Sequence, residues 1–169
     1  MAYMKLKDIC CAKNSNIKQN SLNENEGKYP IYGASGFIKN INYYQVDKEY
    51  ISVIKDGSGV GKVFINPPYS SIIGTMQYIF PNNNYVITKY LYYYLKHVKL
   101  YKYSVGMAIP HIYFKDYKNE DIYIPNLKQQ KEIVNTLDTI VNIIKIKNSL
   151  IKKYDELVKS QFISYCEVA

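Results

Sequence analysis

The chain has 169 residues and a formal net charge of +8 at pH 7, with a pI near 9.2. That length holds one domain with a real core plus an appendage, and leaves no room for a cofactor domain beside recognition elements. The positive balance points to an anionic partner, nucleic acid first, and all of it is lysine, because Arg is absent; Trp is absent too, while Tyr reaches 20 residues.

The N-terminus, MAYMKLKDICC, has no long apolar segment, and no run reaches the roughly 18 apolar residues of a membrane span. Adjacent Cys10 and Cys11, with Cys166 far away and only two His, do not make a zinc-ligand spacing. A reducing, cytoplasmic setting is the expectation.

A first strand is predicted over Met4–Ile9, followed by a polar loop from Asn14 to Lys28. Short strands follow at Tyr29–Tyr32, Tyr50–Ile54, Gly61–Ile65 and Met76–Phe80, marked by β-branched and aromatic residues between Gly, Pro and Asn breakers. Asn82-Asn83-Asn84 signals a turn. Val86–Val98 reads as a helix with Ile87, Leu91, Tyr94, Leu95 and Val98 on one face. Within it, Tyr92-Tyr93-Tyr94 reads as core and rim rather than as a stacking platform. Ile122–Ile124 closes the series as a strand.

Pro125 stops that strand, and Asn126 with Gln129 forms a capping-box pattern for a helix. From there Ile133, Leu137, Ile140, Ile144, (Lys147), Ile151, Tyr154 and Val158 alternate spacings of four and three, the pattern of a coiled-coil seam. No Pro or Gly interrupts the segment through Tyr165. Such a helix is roughly 60 Å long, longer than a domain of about 125 residues is wide. Partner packing is therefore expected, with Val134, Val141 and Leu150 widening the stripe. The bland alternative is a helix folded back on its own domain. The expected architecture is α+β: a small mixed-sheet domain over residues 1–125, then a coiled-coil helix over 126–169.

Several motifs suggest catalysis and fail on spacing. The turn DGSGVGK puts Asp56 where a phosphate loop needs its first Gly, and Val63 where it needs a hydroxyl. The plain alternative is a glycine turn between Tyr50–Ile54 and the following strand, whose N–H groups and Lys55 or Lys62 can approach a DNA phosphate. Asn66-Pro67-Pro68-Tyr69 matches the NPPY of adenine amino-methyltransferases. Too few residues separate it from the glycine turn for a doubly wound cofactor domain. Glu26-Gly27-Lys28 and Asp116-Tyr117-Lys118 are common acid-x-Lys triplets. His97 on the Tyr-rich helix reads as a surface residue, and His111 as a loop residue.

The ordered phrases MKLKDI, YPIYGASG, VIKDGSGVGKV, IGTMQYI, YLYYYL, IPHIYFKDYK, IPNLKQQKEIV and YDELVKSQF (Tyr154–Phe162) together resemble the specificity (S) subunits of type I restriction–modification systems. Full S subunits carry two target-recognition domains and two long helices that pack antiparallel, so each domain reads half of a bipartite DNA site. This chain carries one of each, and the resemblance implies a natural half-subunit or a cleanly cut half. It implies a non-catalytic chain that binds double-stranded DNA, has no cofactor of its own, and docks methyltransferase (M) subunits. Those would bind S-adenosylmethionine, methylate adenine N6, and recruit a translocating restriction (R) subunit. A half-subunit is expected to homodimerise through Ile133, Leu137, Ile140, Ile144, Ile151, Tyr154 and Val158, giving a palindromic, interrupted target. Two alternatives stay open: a regulatory or decoy half-subunit that sequesters or re-targets M subunits, and a methyltransferase using Asn66-Pro67-Pro68-Tyr69.

Phrases shared by a family with many targets cannot carry target choice. Specificity is therefore expected between them, in Phe37–Lys48, Asn66–Ser71 and Val98–Met107. The candidate DNA-binding residues there are Lys39, Asn40, Asn42, Tyr43, Tyr44, Gln45 and Lys102, since Asn and Gln suit adenine and Lys suits guanine. Lys55, Ser58, Lys62, Thr75, Gln77 and His111 join them from the shared phrases.

Overall fold

The structure, a computed structural model, describes residues 2–167, with side-chain surroundings from 3 to 163. The chain divides into one compact unit ending at Lys131 and a second beginning at Glu132. Among the described residues no helix is long and apolar enough to cross a membrane.

Among the described residues, three small sheets and one long helix meet the α+β expectation. The N-terminal segment departs from the predicted single strand. Strand β1 (Ala2–Lys5) gives way to a helical turn α1 (Leu6–Ile9), and strand β2 (Cys10–Asn14) follows. Leu6 and Ile9, three residues apart, are both fully buried on the turn. The N–H groups of Leu6 and Lys7 donate to the carbonyls of Glu120 and Lys118. A strand would have sent Leu6 and Ile9 to opposite faces, so burial selects the turn. The polar loop that follows contains a short 3-10 helix at Gln19–Leu22, with Leu22 buried.

Strands β3 (Tyr29–Gly33) and β4 (Gly36–Ile41) form a hairpin, and β7 (Ser71–Ile72) pairs with β3 in parallel. Strand β4 was not expected: its Lys39 and Asn40 weaken the apolar pattern, and Ala34-Ser35 is not one of the favoured hairpin dipeptides. The main sheet runs β2, β8 (Met76–Pro81), β5 (Tyr50–Ile54) and β6 (Val63–Asn66), all antiparallel. Every residue of strand β5 is buried, including Ser52, whose hydroxyl accepts the Asn66 amide. Gly61 lies outside β6, because its φ of +82° belongs to the turn.

Tyr50, Ile54, Ile72, Met76 and Tyr78 form one core cluster with Val46; Ile17, Leu22, Ile31, Ile41 and Ile73 form another. Burial raises the Tyr50 hydroxyl pKa well above the ordinary phenol value and pushes that of Tyr78 up to about 12. Both phenols are hydrogen-bonded. Tyr50 accepts from Ser70 Oγ at 2.9 Å; Tyr78 donates to Gln45 Oε1 at 2.8 Å and accepts the Ile72 N–H at 3.0 Å.

Helix α2 (Thr88–Val98) buries Tyr90, Leu91, Leu95 and Val98, and leaves Tyr92, Tyr93 and Tyr94 half-buried as core-and-rim residues. It starts two residues later than predicted, because Ile87 is extended. It ends at Lys99, whose φ is +54°. A 3-10 turn (Leu100–Tyr103), a helical turn α3 (Phe114–Tyr117) and β9 (Asp121–Ile124), paired with β1, complete the domain.

Helix α4 runs from Leu127 to Glu167, 41 residues or about 60 Å. Its predicted capping box forms only in half. Asn126 Oδ1 accepts the Gln129 N–H at 2.9 Å, whereas Gln129 Oε1 is buried with no hydrogen-bond partner among the described residues. Gln130 is the stronger anchor. Fully buried, it accepts the Ile87 N–H and donates to the carbonyls of Tyr85 and Pro125. Further along, the seam residues Ile133, Ile140, Ile144, Ile151, Tyr154 and Val158 are exposed, and Leu137 is half-buried.

Candidate nucleic-acid interface

Three of the sequence phrases meet at one point. Beyond β5, the N–H groups of Lys55 and Asp56 donate to the Thr75 carbonyl at 3.0 and 3.3 Å. The Gly57 N–H donates to Pro110 O at 2.9 Å, and the Ile112 N–H to Lys55 O at 2.8 Å. His111 bridges Asp56 on one side and Val105 on the other. KDGSGVGK, IGTMQYI and IPHIYFKDY are thus woven together by backbone hydrogen bonds, and Lys55, Thr75 and His111 become neighbours.

Glycine makes this weave fit. Gly61 has φ +82°, and a Cβ there would lie 2.5 Å from the Tyr101 backbone N. The turn therefore presses on the 3-10 segment after α2. Gly57, at φ +95°, faces open space, and exposed Ser58 follows it.

The predicted residues divide by how their side chains are used. Lys55 ion-pairs with Asp56 at 2.7 Å with its side chain only 14% exposed, so its charge is already met. Lys102 pairs with Glu120 at 3.1 Å. Lys39 donates to the Leu22 carbonyl at 3.0 Å and ties β4 to the 3-10 helix. Lys62 is exposed with no side-chain partner among the described residues, and lines a groove with Gly61, Val63, Phe64 and Lys96. It is the candidate lysine best placed for a phosphate.

Gln77, expected to face DNA, is buried instead. It is 5% exposed, donates to Asn14 Oδ1 at 2.9 Å and accepts the Tyr117 hydroxyl at 3.3 Å. It lies on the face of β8 opposite the core residues Met76 and Tyr78, and Asn14 and Tyr117 occupy its amide there. Gln45 is exposed, but its Oε1 takes the Tyr78 hydroxyl and its Nε2 reaches Asn16 Oδ1 at 3.4 Å. Asn66 of NPPY is likewise interior: its amide donates to Ser52 Oγ at 2.6 Å, away from any target base.

Asn40, Asn42, Tyr43 and Tyr44 are exposed. The Asn42 N–H is held by Asn25 Oδ1 at 2.9 Å. Tyr44 sits edge-on between Tyr29 and Tyr69, with ring centroids 4.8 and 5.2 Å away. Tyr69, at φ +54°, is the aromatic of NPPY. That motif is a rigid loop whose tyrosine buttresses the Asn42–Gln45 stretch.

A groove of about 510 Å³ lies beside Thr75, lined by Ser15, Asn16, Ile17, Lys18, Gln19, Asn20, Ile73 and Gly74. Its polar wall comes from the loop that sequence reasoning passed over. The signal in the sequence is the run S-N-I-K-Q-N, as rich in amides and lysine as Lys39–Gln45.

The chain is similar to known proteins over most of its length. Residues 1–154 match the family described as the type I restriction modification DNA specificity domain. The type I restriction enzyme MjaVIII specificity subunit of Methanocaldococcus jannaschii is 30% identical over 147 residues, which cover 80% of this chain and 34% of that protein. A type I specificity subunit of Mycoplasma pneumoniae is 32% identical over 146 residues, covering 83% of this chain and 39% of the relative. The chain thus spans well under half the length of these curated relatives. Among solved structures, the type I restriction–modification S subunit from M. genitalium superposes with a TM-score of 0.71 at 22% identity, over 89% of this chain and 41% of that one. The HsdS subunit from Thermoanaerobacter tengcongensis gives 0.64 at 19%, over 85% and 38%. With the family model covering all but the end of the long helix, the chain belongs to the type I restriction modification DNA specificity domain family.

Proposed function

We propose that this chain reads one half of an interrupted duplex DNA target and brings adenine-N6 methyltransferase subunits to it, with two copies paired through the seam of α4. The observation that carries the reading is the family match across residues 1–154. The exposed seam from Ile133 to Val158 supports pairing, because a row of isoleucines in water is stabilised by covering it. In this reading the chain positions and does not catalyse. Exposed Lys62 holds phosphate, polar side chains near the woven turn meet base edges, and S-adenosylmethionine stays with the partner M subunits. An R subunit joins the same assembly when the system cuts, and the setting is the cytoplasm, where the DNA is.

The test is co-expression with M subunits followed by methylation-sensitive sequencing of the host DNA. The expected result is methylated adenine in an interrupted motif with two-fold symmetry. An unmodified genome, with the complex formed, would sink the reading. A second reading is a decoy that occupies M subunits through the exposed seam of α4. It predicts lower methylation when the chain is added to a complete complex.

A further inference from the structure

The groove beside Thr75 carries two exposed side-chain amides, on Gln19 and Asn20, that have no partner among the described residues. We propose that the Asn16–Asn20 loop is a base-reading edge of this domain, with the side-chain amides of Gln19 and Asn20 taking adenine in duplex DNA. The proposal rests on the DNA-recognition reading and names the part of the surface that chooses sequence.

Availability is the first ground. A carboxamide presents a donor and an acceptor side by side, the pair that matches adenine N6 and N7 in the major groove. It can do so only if both groups are unspent. Gln77, Asn66 and Gln45 use their amides on Asn14, Ser52, Asn16 and the Tyr78 hydroxyl. Gln19 and Asn20 are exposed, and among the described residues their side chains have no partner.

Rigidity is the second. A reader on a floppy loop loses affinity to the cost of ordering it. This loop is fastened at both ends by groups other than the Gln19 and Asn20 amides. Ser15 Oγ donates to Ile72 O at 2.5 Å and accepts the Ile17 N–H at 3.2 Å. The Gly74 N–H donates to Ile17 O at 2.8 Å, an approach tight enough that a Cβ on Gly74 would sit 3.3 Å from that oxygen. Past the loop's tip, Ser21 Oγ and the Ser21 N–H both bond to Lys18 O, and Lys39 clamps the Leu22 carbonyl. The fastening leaves Gln19 and Asn20 free to be replaced.

Position is the third. Thr75 lines the same groove, and its carbonyl anchors the woven turn that carries Ser58. Its side chain is exposed, and a threonine methyl suits the thymine methyl paired with a read adenine. Lys18, exposed on the loop, supplies a phosphate contact alongside.

The experiment is selection from a duplex DNA library with a randomised core, using the full chain, the Gln19→Ala/Asn20→Ala double variant and Lys62→Ala. The wild type enriches a motif. The double variant retains bulk DNA within about twofold but loses about tenfold or more of its preference at one or two adenine positions. Lys62→Ala weakens retention with the motif unchanged. Should the alanine variant lose its fold, the isosteric Gln19→Glu and Asn20→Asp serve, and they shift preference from adenine toward cytosine, whose N4 amine donates. An unchanged motif in all loop variants overturns the inference and leaves the DNA reading standing. Loss of all retention with the fold intact also overturns it, because the loop would then hold phosphate rather than bases. A wild type that enriches nothing overturns both.

Discussion

Gln130 Oε1 accepts the backbone N–H of Ile87 at 2.9 Å, across 43 residues of sequence. The same amide donates to Tyr85 O at 2.8 Å and Pro125 O at 2.9 Å, so one side chain satisfies three backbone groups. It pins the first turn of α4 to the turn that leads into α2. Gln130→Ala strands those groups in the interior and is expected to cost about 2–4 kcal/mol in urea unfolding. A loss under about 0.5 kcal/mol would show that water replaces the amide without penalty.

The glycine turn makes a contrast between two positions. Gly61→Ala meets both a left-handed φ and the Tyr101 backbone, whereas Gly57→Ala meets only the φ. Gly57→Ala is expected to destabilise by about 1 kcal/mol, and Gly61→Ala by clearly more, because backbone must move. Equal losses in thermal unfolding would contradict the contact with Tyr101.

Glu120 links stability to pH. The Tyr103 hydroxyl donates to it, and with the Lys102 ammonium holds its carboxyl below the ordinary carboxylate range. A carboxyl lowered in the folded state contributes stability above its unfolded pKa of about 4.3, and loses it as pH falls through the folded value. The urea midpoint should therefore drop on acidification below about pH 4, and Glu120→Gln should flatten that drop. An identical acid profile in the variant would assign the loss to other carboxylates.

The α4 seam is tested by Ile144→Asp. Ile144 is 52% exposed within the chain, so the fold has no use for it, but a self-paired seam cannot bury a carboxylate. Light scattering should give a dimer for the wild type, a monomer for Ile144→Asp, and a dimer for Lys145→Asp. A wild type that is monomeric at micromolar concentration removes self-pairing.

Phosphate contact by Lys62 is a salt effect. Lys62→Ala should lower the slope of log binding constant against log salt by about 0.9, with sequence preference intact. No change in slope would remove Lys62 from the interface.

Elements that need only local information are legible in the chain's residue pattern. The β-branched and aromatic residues of Tyr50–Ile54 read as a strand, the four-three spacing after Asn126 as one long helix, and the DGSGVGK glycines as a turn between two strands. The ordered phrases pointed to the family that residues 1–154 match. What depends on long-range partners emerges only in the folded chain. Leu6–Ile9 turns helical because Glu120 and Lys118 receive its N–H groups. Strand β4 exists because β3 pairs with it, despite a polar center. The division of amides is of the same kind. Gln77, Gln45, Gln19 and Asn20 look alike in sequence, yet packing spends the first two on Asn14, Tyr117, Tyr78 and Asn16 and leaves the others in water. A carboxamide's chemistry is written in its residue type. Whether it faces the core or a ligand is set by hydrogen-bond partners distant in sequence, and only the folded chain brings those together.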